Sequence, residues 1–167
     1  LGTMLGAVAH WQAHGRKADQ SPVTVIGPAE PARALANAAG VQNLVIAQGL
    51  ADEQLADLLT GSAAMLFCSH AEGFGLPILE AIACGCPVVA SDIPVMREDG
   101  QTGCVFVNPN SVSDMASGID RAIDMRWNEA ARATLVAQHG WDASYARVAR
   151  EIRALAADLP PRRRAHH

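Results

Sequence analysis

The stretch Glu72-Gly73-Phe74-Gly75-Leu76-Pro77-Ile78-Leu79-Glu80 decides how this chain reads. Before it, Ala63 to Cys68 is a short apolar run of strand character. After it, Leu79 to Ala83 has helical composition and is ended by Gly85, so the nine residues form a strand-to-helix turn. Gly73 and Gly75 lack a Cβ, which lets the backbone turn sharply and a ligand come close to it. Pro77 has no N–H to lose in a first helical turn. The amides around Phe74, Gly75 and Leu76 then point out of a helix N-terminus, where the macrodipole favours an anion. A diphosphate fits there, with Glu80 in the first turn accepting from vicinal ribose hydroxyls and Glu72 facing the other end of the ligand. On spacing alone, a glycine-containing turn with no ligand is the more ordinary reading.

Outward from the turn, short β-branched runs alternate with segments of helical period, the pattern of repeated βα units that close a parallel sheet. Leu1 to Arg16 reads as a helix with Leu5, Val8 and Trp11 on one face. Val23 to Ile26, Asn43 to Gln48, Ala63 to Cys68, Pro87 to Ala90 and Cys104 to Val107 read as strands. Helices are expected from Pro31 to Ala39, from Glu53 to Leu59 with Asp52 as N-cap, from Ser111 or Ser113 to Met125, from Asn128 to Gln138 and from Asp142 to Ala157. The expected class is α/β, a Rossmann-like parallel sheet with helices on both faces. The sequence reads as a single domain over residues 1–158, followed by a tail or tag remnant over 159–167.

Length and composition narrow the function classes. At 167 residues, with 50% apolar and only 4% aromatic residues, the chain can bury a core built mainly from Ala, Val, Ile and Leu. The formal charge of −4 and a single dense basic run, Arg162-Arg163-Arg164, argue against nucleic acid as a partner. Cys68, Cys84, Cys86 and Cys104 lie in or beside apolar runs without a CxxC pair, so reduced, packed thiols are expected and no metal site. No apolar stretch approaches the roughly 20 residues of a membrane span, which gives a cytoplasmic reading.

The turn, with Ala81 after it, resembles the E-x7-E signature of the group 1, glycogen synthase-like, retaining glycosyltransferases. The similarity covers residues 21 to 157. It includes Val25-Ile26-Gly27, Gly49 followed by Asp52-Glu53-Gln54-Leu55, Ser69, Gly85-Cys86-Pro87-Val88-Val89-Ala90-Ser91, Glu98, Gly103 with Val107 and Pro109, and Trp141. The resemblance implies the C-terminal half of a GT-B fold, binding a nucleoside diphosphate sugar, with the acceptor held mainly by an N-terminal domain not present in this chain. It implies that Glu72 contacts the donor sugar as the catalytic residue and that Phe74, Gly75 and Leu76 hold the distal phosphate and sugar. Glu80 would take the ribose, Gly27 would border the pyrophosphate, and the base would lie near Gly49 to Leu55.

The implied reaction is transfer of a hexose to a glycan, lipid or small-molecule acceptor, as in polysaccharide biosynthesis, with no metal and no cofactor. The sequence holds no DxD-like carboxylate pair. Peripheral membrane association through the absent domain, and oligomer formation, are compatible with the resemblance. A GT-B-like sugar-nucleotide 2-epimerase and a non-catalytic nucleotide-sugar binding module are the competing readings.

Two departures matter. Family members open this domain with a strand and a loop bearing Arg and Lys, whereas this sequence starts in the following helix; Arg16 and Lys17 come after that helix and do not inherit the role. In a sheet of order 3-2-1-4-5-6 the absent strand would be central, leaving a buried edge for an upstream segment or another chain to fill, and the chain by itself is expected to be inactive. The catalytic histidine expected from the N-terminal domain is also absent, and His70, on a strand-end turn, is a poor substitute.

Overall fold

A computed structural model describes residues 1–15, 22–99 and 102–157. Five strands alternate with helices among these residues. In chain order the elements are α1 (Gly2–His14), β1 (Val23–Ile26), α2 (Ala29–Ala39), β2 (Leu44–Ala47), α3 (Asp52–Thr60), β3 (Met65–Phe67), α4 (Leu76–Ala83), β4 (Val88–Ser91), α5 (Pro94–Asp99), β5 (Cys104–Val107), α6 (Val112–Ile123), α7 (Glu129–His139) and α8 (Trp141–Ala157). All strand pairings are parallel. The fold is the expected α/β, Rossmann-like arrangement.

The strands form two groups. β1 pairs with β2, Val23 opposite Leu44, and β3–β4–β5 form a second sheet, Met65 opposite Val88 and Val88 opposite Cys104. Among the described residues no strand joins β1 to β3. The break falls where the sequence reading places an absent central strand.

Period-two alternation on β4 sorts the core into two layers. Val88 and Ala90 pack with Leu59, Ile78, Ala81, Ile82 and Met96, which places α3, α4 and α5 on one face. Val89 packs with Ala7, Trp11, Met115, Ile119 and Ala122, which places α1 and α6 on the other. Every residue of β4 is buried, as expected for a strand covered on both faces. Burying a side chain such as Ile78, Ile82 or Met115 contributes about 1.5–3 kcal/mol. The β1–β2 pair is covered on one face only by the described residues. Val23, Val25 and Leu44 pack with Leu5, Ala36 and Val41 beneath α1 and α2, while Ile26 and Val45 are 50% and 47% exposed.

Local chemistry fixes most element ends. Gly40, at φ 79°, takes the left-handed cap of α2. The Ser111 hydroxyl accepts the Asp114 N–H at 3.2 Å, so Ser111 and not Ser113 is the N-cap of α6. Asp52 is the first residue of α3 rather than its cap. The cap position is Ala51, whose N–H donates to Gln54 Oε1 at 2.9 Å, so a glutamine reaching back replaces the expected aspartate. The α5 helix was not legible: its six residues give too short a period to recognise. Helix α1 ends at His14, ahead of the expected Arg16, which like the tail from 158 onward lies outside the described residues.

A buried polar contact ties the two helices of one layer together. Trp11 on α1 donates from Nε1 to Asp120 Oδ1 on α6 at 2.9 Å, with both side chains buried. Gly118 lets α6 lie close to the sheet. A Cβ there would meet Val107 Cγ1 at 2.7 Å and Val89 Cγ1 at 3.0 Å.

Candidate functional site

The β3 strand delivers the chain to buried Cys68, after which the backbone leaves the sheet. Ser69 organises the exit: its hydroxyl donates to Ala71 O at 2.8 Å. His70, Ala71, Glu72 and Gly73 are exposed. Gly75, at φ 80° and ψ 33°, then reverses the chain into α4 as its N-cap, a conformation that side-chain-bearing residues rarely adopt. Gly73 does not use that freedom, since its φ is not positive. Pro77 lies in the first turn of α4, as expected.

The start of α4 is left open to a ligand. Gly75 supplies no side-chain acceptor, and no other side chain caps the first-turn amides. Ile78 N–H donates back to Gly75 O at 2.9 Å, and the Ile78 side chain, 2% exposed, anchors the turn in the core. Leu76 and Phe74 are exposed above it. Glu72 and Glu80 are both exposed. Glu80 is the fifth residue of α4, which puts it in the second turn and corrects the expected first-turn position; the helix starts at Leu76, so Leu79 lies inside it rather than at its beginning.

The other sequence-derived residues fall at corresponding strand ends. Gly27 follows β1 and donates its N–H to Ala47 O at 3.0 Å, and a Cβ on it would meet nothing within 4 Å. Gly49 follows β2, exposed, at φ 66°. Leu55, on α3, is half-buried against the cluster that holds Leu59, Ile78 and Phe67, so its side chain serves packing between α3 and α4. Gly27, Gly49 and the Glu72 turn therefore each lie just past the C-terminal end of a parallel strand, the edge at which open α/β sheets take ligands. The basic pair Arg16 and Lys17 lies outside the described residues.

Three features around the turn had no signal in the sequence. The Phe74 ring lies 6.2 Å from the His139 ring, inclined at 60°, joining the turn to the last residue of α7. Arg132, near the start of α7, donates from Nη1 to Ala83 O at 2.8 Å, the C-terminal end of α4. Asp92, just past β4, is paired with Arg97, whose hydrogen bond holds the carboxyl below its ordinary value. The Arg97 guanidinium also lies 4.7 Å over the Phe106 ring. Each joins residues through tertiary packing or a helix too short to read. The four cysteines are unpaired, and burial pushes the thiols of Cys68 and Cys104 up to about 12 and that of Cys86 up to about 11, which keeps them protonated and unreactive.

Residues 3–125 match the family "Glycosyl transferases group 1". The chain belongs to the group 1 glycosyl transferases. It is similar to the serotype-specific mannosyltransferase WbdA of Escherichia coli, with 40% identity over 73 residues, 44% of this chain and 9% of that protein. It is also similar to the MMP alpha-(1->4)-mannosyltransferase of Mycolicibacterium hassiacum, with 33% identity over 126 residues, 72% of this chain and 30% of that protein. This group 1 chain therefore spans under a third of the length of either relative. In fold it resembles sucrose-phosphate synthase from Thermosynechococcus elongatus, with a TM-score of 0.69 and 22% identity over 95% of this chain and 43% of that one. The likeness identifies the architecture as that of one half of a GT-B protein. No described helix is long and apolar enough to cross a membrane.

Proposed function

We propose that this chain is the donor-binding half of a retaining, metal-independent hexosyltransferase that takes its sugar from a nucleoside diphosphate sugar. The observation that carries the reading is the start of α4. A left-handed glycine N-cap leaves the first-turn amides without a side-chain acceptor, at the C-terminal end of β3, in a turn bounded by two exposed carboxylates within the stretch that matches the group 1 family. The amides and the helix dipole stabilise the negative charge that grows on the diphosphate as it leaves. Glu80 accepts from the ribose hydroxyls and Glu72 addresses the sugar. Gly27 leaves room for the pyrophosphate, and the Gly49–Leu55 segment borders the base. The names of the relatives, both mannosyltransferases, make mannose the first sugar to test. Acceptor binding and the full transfer reaction belong to the longer parent protein, with the acceptor held by a separate domain.

Titration of the folded chain with UDP, GDP and ADP tests the assignment, with Glu80→Ala as control. One nucleotide is expected to bind at micromolar to millimolar concentration, and Glu80→Ala to weaken it about tenfold, the loss of one or two hydroxyl hydrogen bonds to a charged acceptor. Absence of binding by any of the three nucleotides at millimolar concentration to folded chain refutes the donor site.

A further inference from the structure

Only Gly140 separates α7 from α8, and the two helices line a cavity of about 450 Å³. Pockets for small organic ligands span roughly 300–1,000 Å³, far more than a bare ion needs. Leu135, itself packed against the cluster that holds Ile78 and Ile82, supplies the apolar lining with Ala143 and Ala146. The polar lining is Gln138, His139, Arg147 and Arg150, with no carboxylate among them. Amphipathic helices that pack side by side ordinarily turn their apolar side chains toward each other. Helix α8 does the reverse. Its Tyr145, Val148 and Ile152 are 72%, 56% and 60% exposed, while it brings two alanines and two arginines to the cavity. Packing therefore does not account for the arginines. They lie three residues apart on one side of α8, where like charges repel. Among the described residues no carboxylate pairs with Arg147, and Glu151 stands 3.8 Å from Arg150 Nε with both side chains exposed, too loose a contact to neutralise it. His139 donates from Nδ1 to Leu135 O at 2.9 Å, which fixes its ring in the cavity wall.

We infer that this cavity between α7 and α8 is a second binding site, for a phosphomonoester of a small polyol. The lining selects that class. A phosphomonoester carries about two negative charges at pH 7 on three acceptor oxygens, so it answers both guanidinium forks at once and removes their mutual repulsion. A monocarboxylate offers one charge and one bidentate edge, which satisfies a single arginine. The Gln138 amide both donates and accepts, as a hydroxyl-bearing ligand requires, and Leu135, Ala143 and Ala146 face its carbon chain. Inorganic phosphate alone would leave most of the cavity to water. No residue from Glu72 to Glu80 lines the cavity, so the site stands whether or not the glycine turn holds a nucleotide. The two are neighbours through His139, whose ring lies 6.2 Å from that of Phe74.

Amide chemical shifts of the 167-residue chain, followed by NMR during titration with glycerol 3-phosphate, inorganic phosphate and glycerate, test this. Glycerol 3-phosphate should saturate the chain at low-millimolar concentration, with the largest shifts on α7 from Leu135 to His139 and on α8 from Ala143 to Arg150. It should bind at least about threefold more tightly than either of the other two probes. Combining Arg147→Gln with Arg150→Gln should weaken it at least about tenfold. Both side chains are exposed, so the ligand-free shifts of β4 and β5 should stay unchanged in that variant, which reports an intact fold. The site is overturned if nothing saturates at tens of millimolar, if the double variant binds as tightly as the parent chain, or if phosphate or glycerate matches the ester. Shifts confined to Gly73–Ile78 would overturn it too, since they place the phosphate at the start of α4 and leave the donor-site reading intact.

Discussion

Replacing Trp11 by Phe tests whether α1 and α6 are held as one layer. The indole Nε1 donates to Asp120 Oδ1 at 2.9 Å, and the two side chains are 8% and 9% exposed. Phenylalanine keeps most of the apolar contact with Ala7, Met115 and Ile119 but removes one donor to the buried Asp120 side chain. A hydrogen bond to a charged group contributes about 1.5–3 kcal/mol. The smaller ring adds about 1 kcal/mol for the space it leaves, at the low end for core truncations. The expected loss is therefore about 2–4 kcal/mol, a large share of the roughly 5–15 kcal/mol typical of a domain. Urea denaturation followed by far-ultraviolet circular dichroism measures it, and the slope of the transition should not change. Combining Trp11→Phe with Asp120→Ala closes a double-mutant cycle, in which a coupling of about 1–3 kcal/mol is expected. A loss under about 0.5 kcal/mol, or costs that simply add in the double variant, refutes the assigned role of this contact.

Gly118→Ala should destabilise the protein by about 1 kcal/mol even though alanine is the better helix former, because the added methyl meets the buried methyls of Val107 and Val89. A rise in melting temperature would show that α6 can retreat from the sheet. Cys68, Cys86 and Cys104 should resist iodoacetamide at pH 8 in the folded protein and react after denaturation. Their folded values of about 11–12 lie above the ordinary 9.0, so the folded state binds more protons between these limits. The stability they confer is complete below pH 9 and falls as pH rises toward 11 and 12, which denaturation midpoints across that range will read.

Much of the architecture was legible because local and global signals agree. The strand Cys104–Val107 matches its expected bounds, since a β-branched run between Gly103 and Pro109 has no other economical conformation. The break between β1 and β3 was legible only through the family resemblance, whose members carry a central strand ahead of the first helix; the alternation of βα segments in this sequence did not reveal it. The caps were less legible. Asp52 is a good cap residue in isolation, but the backbone placed Ala51 at the cap of α3, whereas for α6 the first of the two expected serines, Ser111, takes the cap. The turn itself was readable in outline, whereas the second-turn position of Glu80 depended on where α4 begins. The Phe74–His139 contact and the Trp11–Asp120 bond were not readable at all, since each joins residues more than 60 positions apart.

Helix α7 holds α4 at both ends, through Arg132 on Ala83 O and through His139 beside Phe74. A rod of 11 residues is about 16 Å long, enough to run the full length of the eight-residue α4 beside it. The two helices thus behave as a splint, and the turn inherits the splint's alignment. A change that tilts α7 by a few degrees acts on the glycine turn at a distance, like a lever whose fulcrum is the Arg132 contact. Variants of the C-terminal helices should therefore be judged by where they leave Phe74 as well as by how much they destabilise the fold.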